Sequence, residues 1–231
     1  ILLIEDVCES HGATFNKEKL GSIGFASNFS FYFAHHMSTI EGGMICTNDD
    51  KFYQMCRALR SHGMTREITD KKMKQQYIDN YPDLNPDFIF MGPAHNFRSN
   101  EINAVLGLSQ LKKLDSNNLN RIDNFKYFIN GLDKKKYHTN FNINGQCNYA
   151  FIVKLRDKIE NVLNKNGIEF RRGLSGGGNQ LRQPFFREKN INYDEFENVE
   201  HIHNYSWYIG NYPSLDRKKI KNLLQVLNEV K

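Results

Sequence analysis

Hydrophobic residues near the start of the chain predict two β-strands. Residues 1–4, ILLI, form a continuous apolar run of the kind found in a central strand buried on both faces, and the run ends in Glu5 and Asp6. Residues 28–33 instead alternate, with phenylalanines on one face and Ser30 on the other, which is typical of a strand. Ligands of open α/β sheets bind beyond the carboxyl ends of the strands, so Asp6 is a candidate ligand residue, with a structural cap as the alternative.

Helical periodicity appears after the second strand. The segment GGMICT, residues 42–47, predicts another short strand, and Asn48 or Asp49 can cap a helix that extends to Gly63. Strands alternating with helices indicate an α/β fold with a mostly parallel sheet. Residues 64–95 contain three prolines and little periodicity, which predicts a long loop region.

The second half of the chain has a different pattern. Residues 100–114 predict a helix that is apolar on nearly all sides through its middle, so it should be buried or pack against another subunit. A second helix at about 118–132 begins a compact α+β pattern that ends in a terminal amphipathic helix. We therefore place a domain boundary near residue 117.

Composition and charge exclude several classes of protein. The 231 residues, with 39% hydrophobic and 25% charged side chains, are typical of a globular protein. The formal net charge of +5 weakly favours anionic partners, but the basic residues are scattered, so we expect no nucleic-acid binding. Four cysteines without a C-x-x-C pair predict reduced thiols in a cytoplasmic protein without a metal site. No apolar run approaches the roughly 20 residues that cross a bilayer, so no membrane association is expected.

The loop after the alternating strand begins with two adjacent histidines. His35 and His36 lie in FSFYFAHHMSTIEGG, residues 29–43. In isolation such a pair is more typical of a surface loop, although imidazole is the side chain best suited to move protons near neutral pH. The glycine-rich SGGG, residues 175–178, lacks the strand-then-helix context of a dinucleotide fingerprint and predicts a flexible turn.

Several motifs occur together in one order. The segments IEDVCESHGATFNKEKLGSIGFASNFSFYFAHHMSTIEGGMICTND and HNFRSNEINAVLGLSQLKKL resemble the DegT-type sugar aminotransferase family of fold-type I pyridoxal-phosphate enzymes. The resemblance implies that residues 1–117 are the C-terminal part of the large cofactor-binding domain and 118–231 a small C-terminal α+β domain. Because ILLIED opens within a strand pattern without an initiator Met, we expect the chain to be N-terminally incomplete.

The resemblance implies pyridoxal 5'-phosphate or pyridoxamine 5'-phosphate as the cofactor. Asp6 would pair with the pyridine nitrogen, and Ser30 would bind the phosphate. Asn96 would reach the phosphate from the neighbouring subunit, so the active site would require a homodimer. Glu9 stands where many members have a glutamine that contacts the ring hydroxyl.

The resemblance also gives His35 a role. It occupies the position of the lysine that holds the cofactor covalently in aminotransferases of the family. An imidazole cannot replace that amine as an anchor, but it can act as acid and base. Sugar 3-dehydratases of the family have a similar tandem-histidine loop. The implied activity is therefore that of a lyase that removes the 3-hydroxyl of a nucleotide-linked 4-keto-6-deoxyhexose, with glutamate as the amino donor.

Substrate contacts are implied in the segment RRGLSGGGNQLRQPFF, in which Arg172, Asn179 and Arg182 would hold sugar or phosphate. An arginine-rich surface loop is the alternative. Phe33 and Ile40 depart from the proline and glycine usual in the family loop. The cysteine spacings do not suit the iron–sulfur cluster of a related dehydratase branch. A nucleotide-sugar aminotransferase, and an inactive homologue that serves as a binding or dimerisation module, remain alternative functions.

Overall fold

The computed structural model describes residues 1–154, 159–173, 177–187, 189 and 191–230. The chain divides into two compact units, Ile1–Leu114 and Asp115–Lys231. Each unit has helices and its own sheet, which confirms the predicted α/β class.

A three-stranded sheet organises the first unit. Its strands follow the order β1 (Ile4–Asp6), β4 (Ala26–Ser30) and β5 (Gly43–Thr47), and a hairpin of β2 (Thr14–Phe15) and β3 (Glu18–Lys19) connects the first two. Strand β4 pairs in parallel with β1 and antiparallel with β5. The sequence predicts a mostly parallel sheet. Within the described residues, this sheet contains one parallel and one antiparallel strand pair.

The apolar run that ends in β1 is not buried, so that prediction is wrong for this chain. Leu2, Leu3 and Ile4 are 68%, 56% and 64% exposed. Within the described residues β1 is an edge strand, with β4 on one side only. A continuous apolar run is buried on both faces only where further layers cover the strand.

Two helices follow β5. Helix α1 (Asp50–Leu59) begins at the predicted cap, since the Asp49 side chain accepts a hydrogen bond from a backbone N–H of its first turn. The predicted loop 64–95 is wrong over α2 (Lys71–Asn80), a helix with no buried residue, capped in the same way by Asp70. A surface helix that buries no apolar stripe gives little periodicity in the sequence.

Helix α3 (Glu101–Gly131) is continuous, whereas the sequence predicts two helices, at 100–114 and at about 118–132. Asn118 and Arg121, in the polar middle of this helix, are each 6% exposed. Arg121 donates a hydrogen bond to the backbone carbonyl of Asn211. Tertiary contacts in the second unit therefore outweigh the low helix propensity of this stretch.

The second unit packs helices on an antiparallel sheet with strand order β6-β8-β7. Phe128 of α3 stacks on Phe151 with ring centroids 4.4 Å apart, and Trp207 is fully buried beside them. The remaining elements are β6 (Ala150–Lys154), α4 (Glu160–Lys165), β7 (Arg171–Arg172), α5 (Pro184–Arg187), α6 (Glu197–Tyr205), β8 (Ser206–Gly210) and α7 (Arg217–Asn228).

The glycine-rich segment 175–178 belongs only in part to the described residues. Residues 175 and 176 lie outside the described residues, and Gly177 and Gly178 have φ angles of +78° and +90°. In the ranges that the structure describes, no helix combines the length and the apolar character needed to cross a bilayer.

Candidate active site

Polar side chains converge at the carboxyl ends of β1 and β4. Asp6 ends β1 and is the register partner of Asn28 on β4. Ser30 ends β4 two residues beyond Asn28, so both side chains project from the same face of the strand. The pairing of the two strands thereby places Asp6 and Ser30 at one edge of the sheet.

The Asp6 carboxylate is exposed and anionic. Its Oδ1 accepts hydrogen bonds from Cys8 N at 3.2 Å and from Asn28 Nδ2 at 3.1 Å. The Cys8 thiol and backbone N–H, the Asn28 amide and the charge of His35 lower the pKa of Asp6. Its charge is therefore present at neutral pH, in a position that a cationic ligand can reach.

His35 lies beside a second carboxylate. Its Nε2 is 3.6 Å from Glu9 Oε1, and the side chains are 12% and 37% exposed. The backbone N–H of His35 donates to the Tyr32 carbonyl at 3.0 Å, and the two rings meet edge to face with centroids 5.5 Å apart. Since the charge of His35 also acts on Asp6, the structure brings Asp6, Glu9 and His35 together.

The second histidine of the pair is directed elsewhere. His36 is 4% exposed and packs against His11, with ring centroids 5.6 Å apart. His11 also contacts Phe29 and Phe31, on the apolar face of β4 and its extension. Burial lowers the pKa of His11 to about 4, so this ring is neutral at pH 7. The tandem histidines thus lie in different environments: His35 is next to a carboxylate, and His36 is in a largely apolar cluster.

The loop after the histidines contains the two departures from the family pattern. Phe33 and Ile40 are both exposed, at 64% and 68%. Ile40 has a φ of +73°, a left-handed conformation that is strained for a β-branched residue. The Thr39 hydroxyl donates to the Glu41 carbonyl at 2.8 Å, and the Asn103 amide donates to the same carbonyl at 2.6 Å. One local hydrogen bond, from Thr39, and one long-range hydrogen bond, from Asn103, therefore hold the strained turn at Glu41.

Asn96 lies in another segment of the first unit. It is exposed, and its backbone forms a bridge to Ser61. Its Oδ1 accepts from Arg98 N at 3.3 Å and from Arg98 Nε at 3.0 Å. These bonds fix the direction of the Asn96 side chain within its own segment.

The three remaining predicted residues belong to the second unit, and two of them converge on Glu200. The buried Asn179 donates through Nδ2 to Glu200 Oε1 at 2.7 Å, and Arg182 donates through Nε and Nη2 to both oxygens. Arg182, with help from Asn179, lowers the pKa of Glu200 to about 2. Arg172 pairs separately with Glu160, at 3.4 Å.

Sequence reasoning missed Asn28, Cys8 and Glu200 as partners of the candidate residues. The alternation of β4 places Asn28 on the same face as Ser30, a signal that could have pointed to it. The four cysteines are free, as predicted, and Cys8 lies against Asp6. Glu200 is 18 residues from Arg182, and no local pattern connects them.

The fold and this polar edge define a class, that of fold-type I pyridoxal-phosphate enzymes. A solved GDP-4-keto-6-deoxymannose-3-dehydratase with a trapped PLP-glutamate geminal diamine superposes with a TM-score of 0.76 at 28% identity, over 98% of this chain and 61% of that one. The chain belongs to the DegT/DnrJ/EryC1/StrS aminotransferase family, whose profile matches residues 1–228.

Two relatives are similar along most of the chain. One is GDP-4-keto-6-deoxy-D-mannose 3-dehydratase of Escherichia coli O55:H7, 31% identical over 92% of this chain and 56% of the relative. The other is the protein of the same name from Yersinia pseudotuberculosis, 29% identical over 99% of this chain and 60% of the relative. The chain therefore spans somewhat more than half the length of these relatives.

Proposed function

We propose that this chain is part of a pyridoxal- and pyridoxamine-phosphate-dependent 3-dehydratase, a lyase that removes the 3-hydroxyl of a nucleotide-linked 4-keto-6-deoxyhexose. The proposal is supported by the similarity to two GDP-4-keto-6-deoxy-D-mannose 3-dehydratases and by the residues at the sheet edge. The observation that carries it is the setting of His35, whose side chain is 12% exposed and whose Nε2 lies 3.6 Å from the Glu9 carboxylate. By the family resemblance, this imidazole takes the place of the lysine of an aminotransferase.

The residues at the sheet edge fit the cofactor. The anionic Asp6 can accept a hydrogen bond from a protonated pyridine nitrogen, and the Ser30 hydroxyl can donate to a phosphate oxygen. When bound, the cofactor supplies an amine that can join the keto carbon of the sugar and a ring that can take up an electron pair. Asp6 favours that chemistry because its negative charge keeps the ring nitrogen protonated.

His35 supplies the proton transfers. The imidazole can accept a proton at a ring nitrogen as a base and return it to the departing 3-hydroxyl as an acid. Glu9, 3.6 Å from Nε2, provides a negative charge that compensates the charge gained by the ring. The small exposed fraction of the His35 side chain, 12%, limits exchange of that proton with water.

The residues of the second unit would bind the substrate. We propose that Arg172, whose side chain is 46% exposed, contacts sugar or phosphate directly. Asn179 and Arg182 are held by Glu200, so their contribution would come from a preformed loop. Glutamate as the amino donor is supported by the PLP-glutamate adduct in the similar structure.

A homodimer with a shared active site is part of the proposal. Helix α3 exposes an apolar stripe in the first unit, with Ile102 at 73%, Val105 at 67%, Leu108 at 63% and Leu111 at 56%. A contiguous exposed stripe of this kind is typical of a protein–protein interface. A second copy covering it would bring Asn96 of the partner subunit near the cofactor phosphate, as the family resemblance implies.

The test is product analysis with the protein expressed from its complete reading frame. Incubation with a GDP-4-keto-6-deoxy sugar, pyridoxal phosphate and glutamate should release ammonia and form a 3-deoxygenated product. His35→Asn should lower the rate by at least about 100-fold, the usual worth of an acid–base group, while cofactor binding stays within about twofold. His138→Asn, at an exposed position of the second unit, is the matched control and should keep full activity.

Other products would decide for the alternative functions. An aminated sugar, together with a lysine labelled after borohydride treatment with pyridoxal phosphate, would contradict the dehydratase and favour a nucleotide-sugar aminotransferase. No turnover and no change in the cofactor spectrum would favour an inactive homologue that acts as a binding or dimerisation module.

A further inference from the structure

Asn28 makes contacts that the family resemblance does not assign. Its half-buried side chain lies between the carboxylate of Asp6, which ends β1, and the thiol of Cys8, in the loop that follows. Nδ2 donates to Asp6 Oδ1 at 3.1 Å and also approaches Cys8 Sγ at 3.1 Å. A single amide thus connects the carboxylate to the thiol that follows it in the chain.

Backbone pairing fixes this arrangement. Asn28 and Asp6 are register partners in the parallel β1–β4 pair, and the backbone N–H of Val7 donates to the Asn28 carbonyl at 2.9 Å. The ladder therefore holds the Asn28 backbone beside Asp6, so that the side-chain amide needs only its own torsions to reach the carboxylate. Since Ser30 projects from the same face of β4, one strand orients both proposed cofactor contacts.

The hydrogen bonds to Asp6 restrict its carboxylate. Cys8 N and Asn28 Nδ2 both donate to Oδ1. Two donors on one oxygen fix the plane of the carboxylate, although the side chain is exposed. Burial, assisted by the Asp6 carboxylate, raises the pKa of Cys8 to about 11, so Cys8 remains a thiol with a proton to donate.

We infer that Asn28 is a positioning residue, which together with Cys8 holds the Asp6 carboxylate in the orientation that receives the N–H of a protonated pyridine ring. The inference rests on the proposed function for the identity of the ligand. It assigns to Asn28 no contact with substrate. The charged or titratable groups that act on Asp6 are Cys8 and His35, and neither is changed by substituting Asn28.

The experiment compares Asn28→Leu and Asn28→Asp with the wild type, using the protein expressed from its complete reading frame. Leucine keeps the volume but removes the donor, and aspartate keeps the shape but places a second carboxylate beside Asp6. Carbon-13 NMR of labelled aspartates, with Asp6→Asn identifying the resonance, follows the titration of Asp6 without cofactor. Asn80→Leu, at an exposed position that ends α2, is the control.

Both Asn28 variants should raise the titration midpoint of Asp6, aspartate more than leucine because like charges cannot both ionise at this distance. Pyridoxal phosphate should bind about tenfold more weakly to Asn28→Leu, the value of one hydrogen bond to a charged group. The Asn80→Leu control should change neither quantity. If leucine prevents folding, the isosteric aspartate variant still gives both measurements.

The outcomes separate the inference from the proposed function. A midpoint and an affinity that stay at the wild-type values in both Asn28 variants would overturn the positioning role while the proposed function stands. Wild-type protein that does not bind pyridoxal phosphate would overturn the proposed function and, with it, the role of Asn28 toward the ring. A raised midpoint with weaker binding supports both.

Discussion

Replacing Glu200 by glutamine should destabilise the second unit in a pH-dependent way. Glu200 receives the buried Asn179 amide and two nitrogens of Arg182, and Arg182 in turn stacks on Tyr193 with its guanidinium carbon 4.0 Å from the ring centroid. Helix α6 therefore anchors the loop that carries Asn179 and Arg182 through one carboxylate. Glutamine keeps the shape but removes the charge.

The magnitude follows from the pKa of Glu200, which Arg182 and Asn179 lower from 4.5 to about 2. At about 1.4 kcal/mol per pKa unit this sets an upper limit of roughly 3.5 kcal/mol on the charge contribution. The Arg182 side chain is 32% exposed and that of Glu200 is 14% exposed, so solvent screening reduces the expected loss to about 1–2 kcal/mol.

The sign of the pH dependence is fixed by the direction of this pKa change. Because the folded-state pKa is lower than the unfolded value of 4.5, the stabilisation is complete above about pH 4.5 and is lost as the pH falls toward about 2. The difference between wild type and Glu200→Gln should therefore be largest near pH 7. It should shrink steadily below pH 4.5.

Trp207 provides the assay. It is the single tryptophan of the chain, is fully buried, and lies on β8 directly after α6, so its fluorescence reports unfolding of the second unit. In urea titrations the midpoint of Glu200→Gln should lie below that of the wild type at pH 7, and the gap should be less than about half as large at pH 3. Glu197→Gln, exposed on the same helix, should cost less than about 0.5 kcal/mol. Equal midpoints at pH 7, or a gap that persists unchanged at pH 3, would refute the reasoning.

Two further predictions concern the first unit. Leu108→Glu places a charge in the exposed stripe of α3 and should convert the proposed dimer to monomer in sedimentation equilibrium. Lys72→Glu, at an exposed position of α2, should not, and an unchanged mass for Leu108→Glu would contradict the dimer surface. Ile40→Gly should raise the free energy of unfolding by about 1 kcal/mol, because glycine adopts a φ of +73° without strain. Thermal unfolding measures this change, and a melting temperature below that of the wild type would show that Ile40 is not strained in this turn.

Much of the fold follows from local signals, and the exceptions have a common cause. The Asp49 cap of α1 and the alternation over residues 28–33 are properties of neighbouring residues, so the sequence carries them directly, although β4 spans Ala26–Ser30 and the alternating residues 31–33 lie beyond it. Helix α2 buries no residue and has no stripe to detect. The continuity of α3 depends on buried polar contacts such as that of Arg121 with Asn211, which are 90 residues apart.

In the candidate site, too, some residues can be found from local signals and others only from pairings between elements. Asp6 could be proposed because it ends an apolar run of the sequence, and Ser30 because the family motif implies it, although the predicted strand continues to residue 33 and β4 ends at Ser30. The alternation of β4 places Asn28 on the face of Ser30, but only the register of β1 with β4 reveals that Asn28 is the partner of Asp6. Glu200 could not be recognised as the partner of Arg182 from the sequence, because their contact depends on the packing of α6 against the loop that carries Arg182. Residue type and strand position suggest the chemistry, but the groups that orient it come from pairings between elements.

The tandem histidines show why position alone does not assign a role. His35 and His36 are chemically identical neighbours, yet one lies beside the Glu9 carboxylate and the other packs on the neutral His11 among phenylalanines. A proton accepted at His35 would be held by a ring whose Nε2 lies 3.6 Å from the Glu9 carboxylate, whereas the His36 ring is 4% exposed and packs against the neutral His11. In the proposed dehydratase we therefore assign packing to His36 and proton transfer to His35. A histidine in place of the family lysine could act in this way because the fold also supplies the Glu9 carboxylate that faces it.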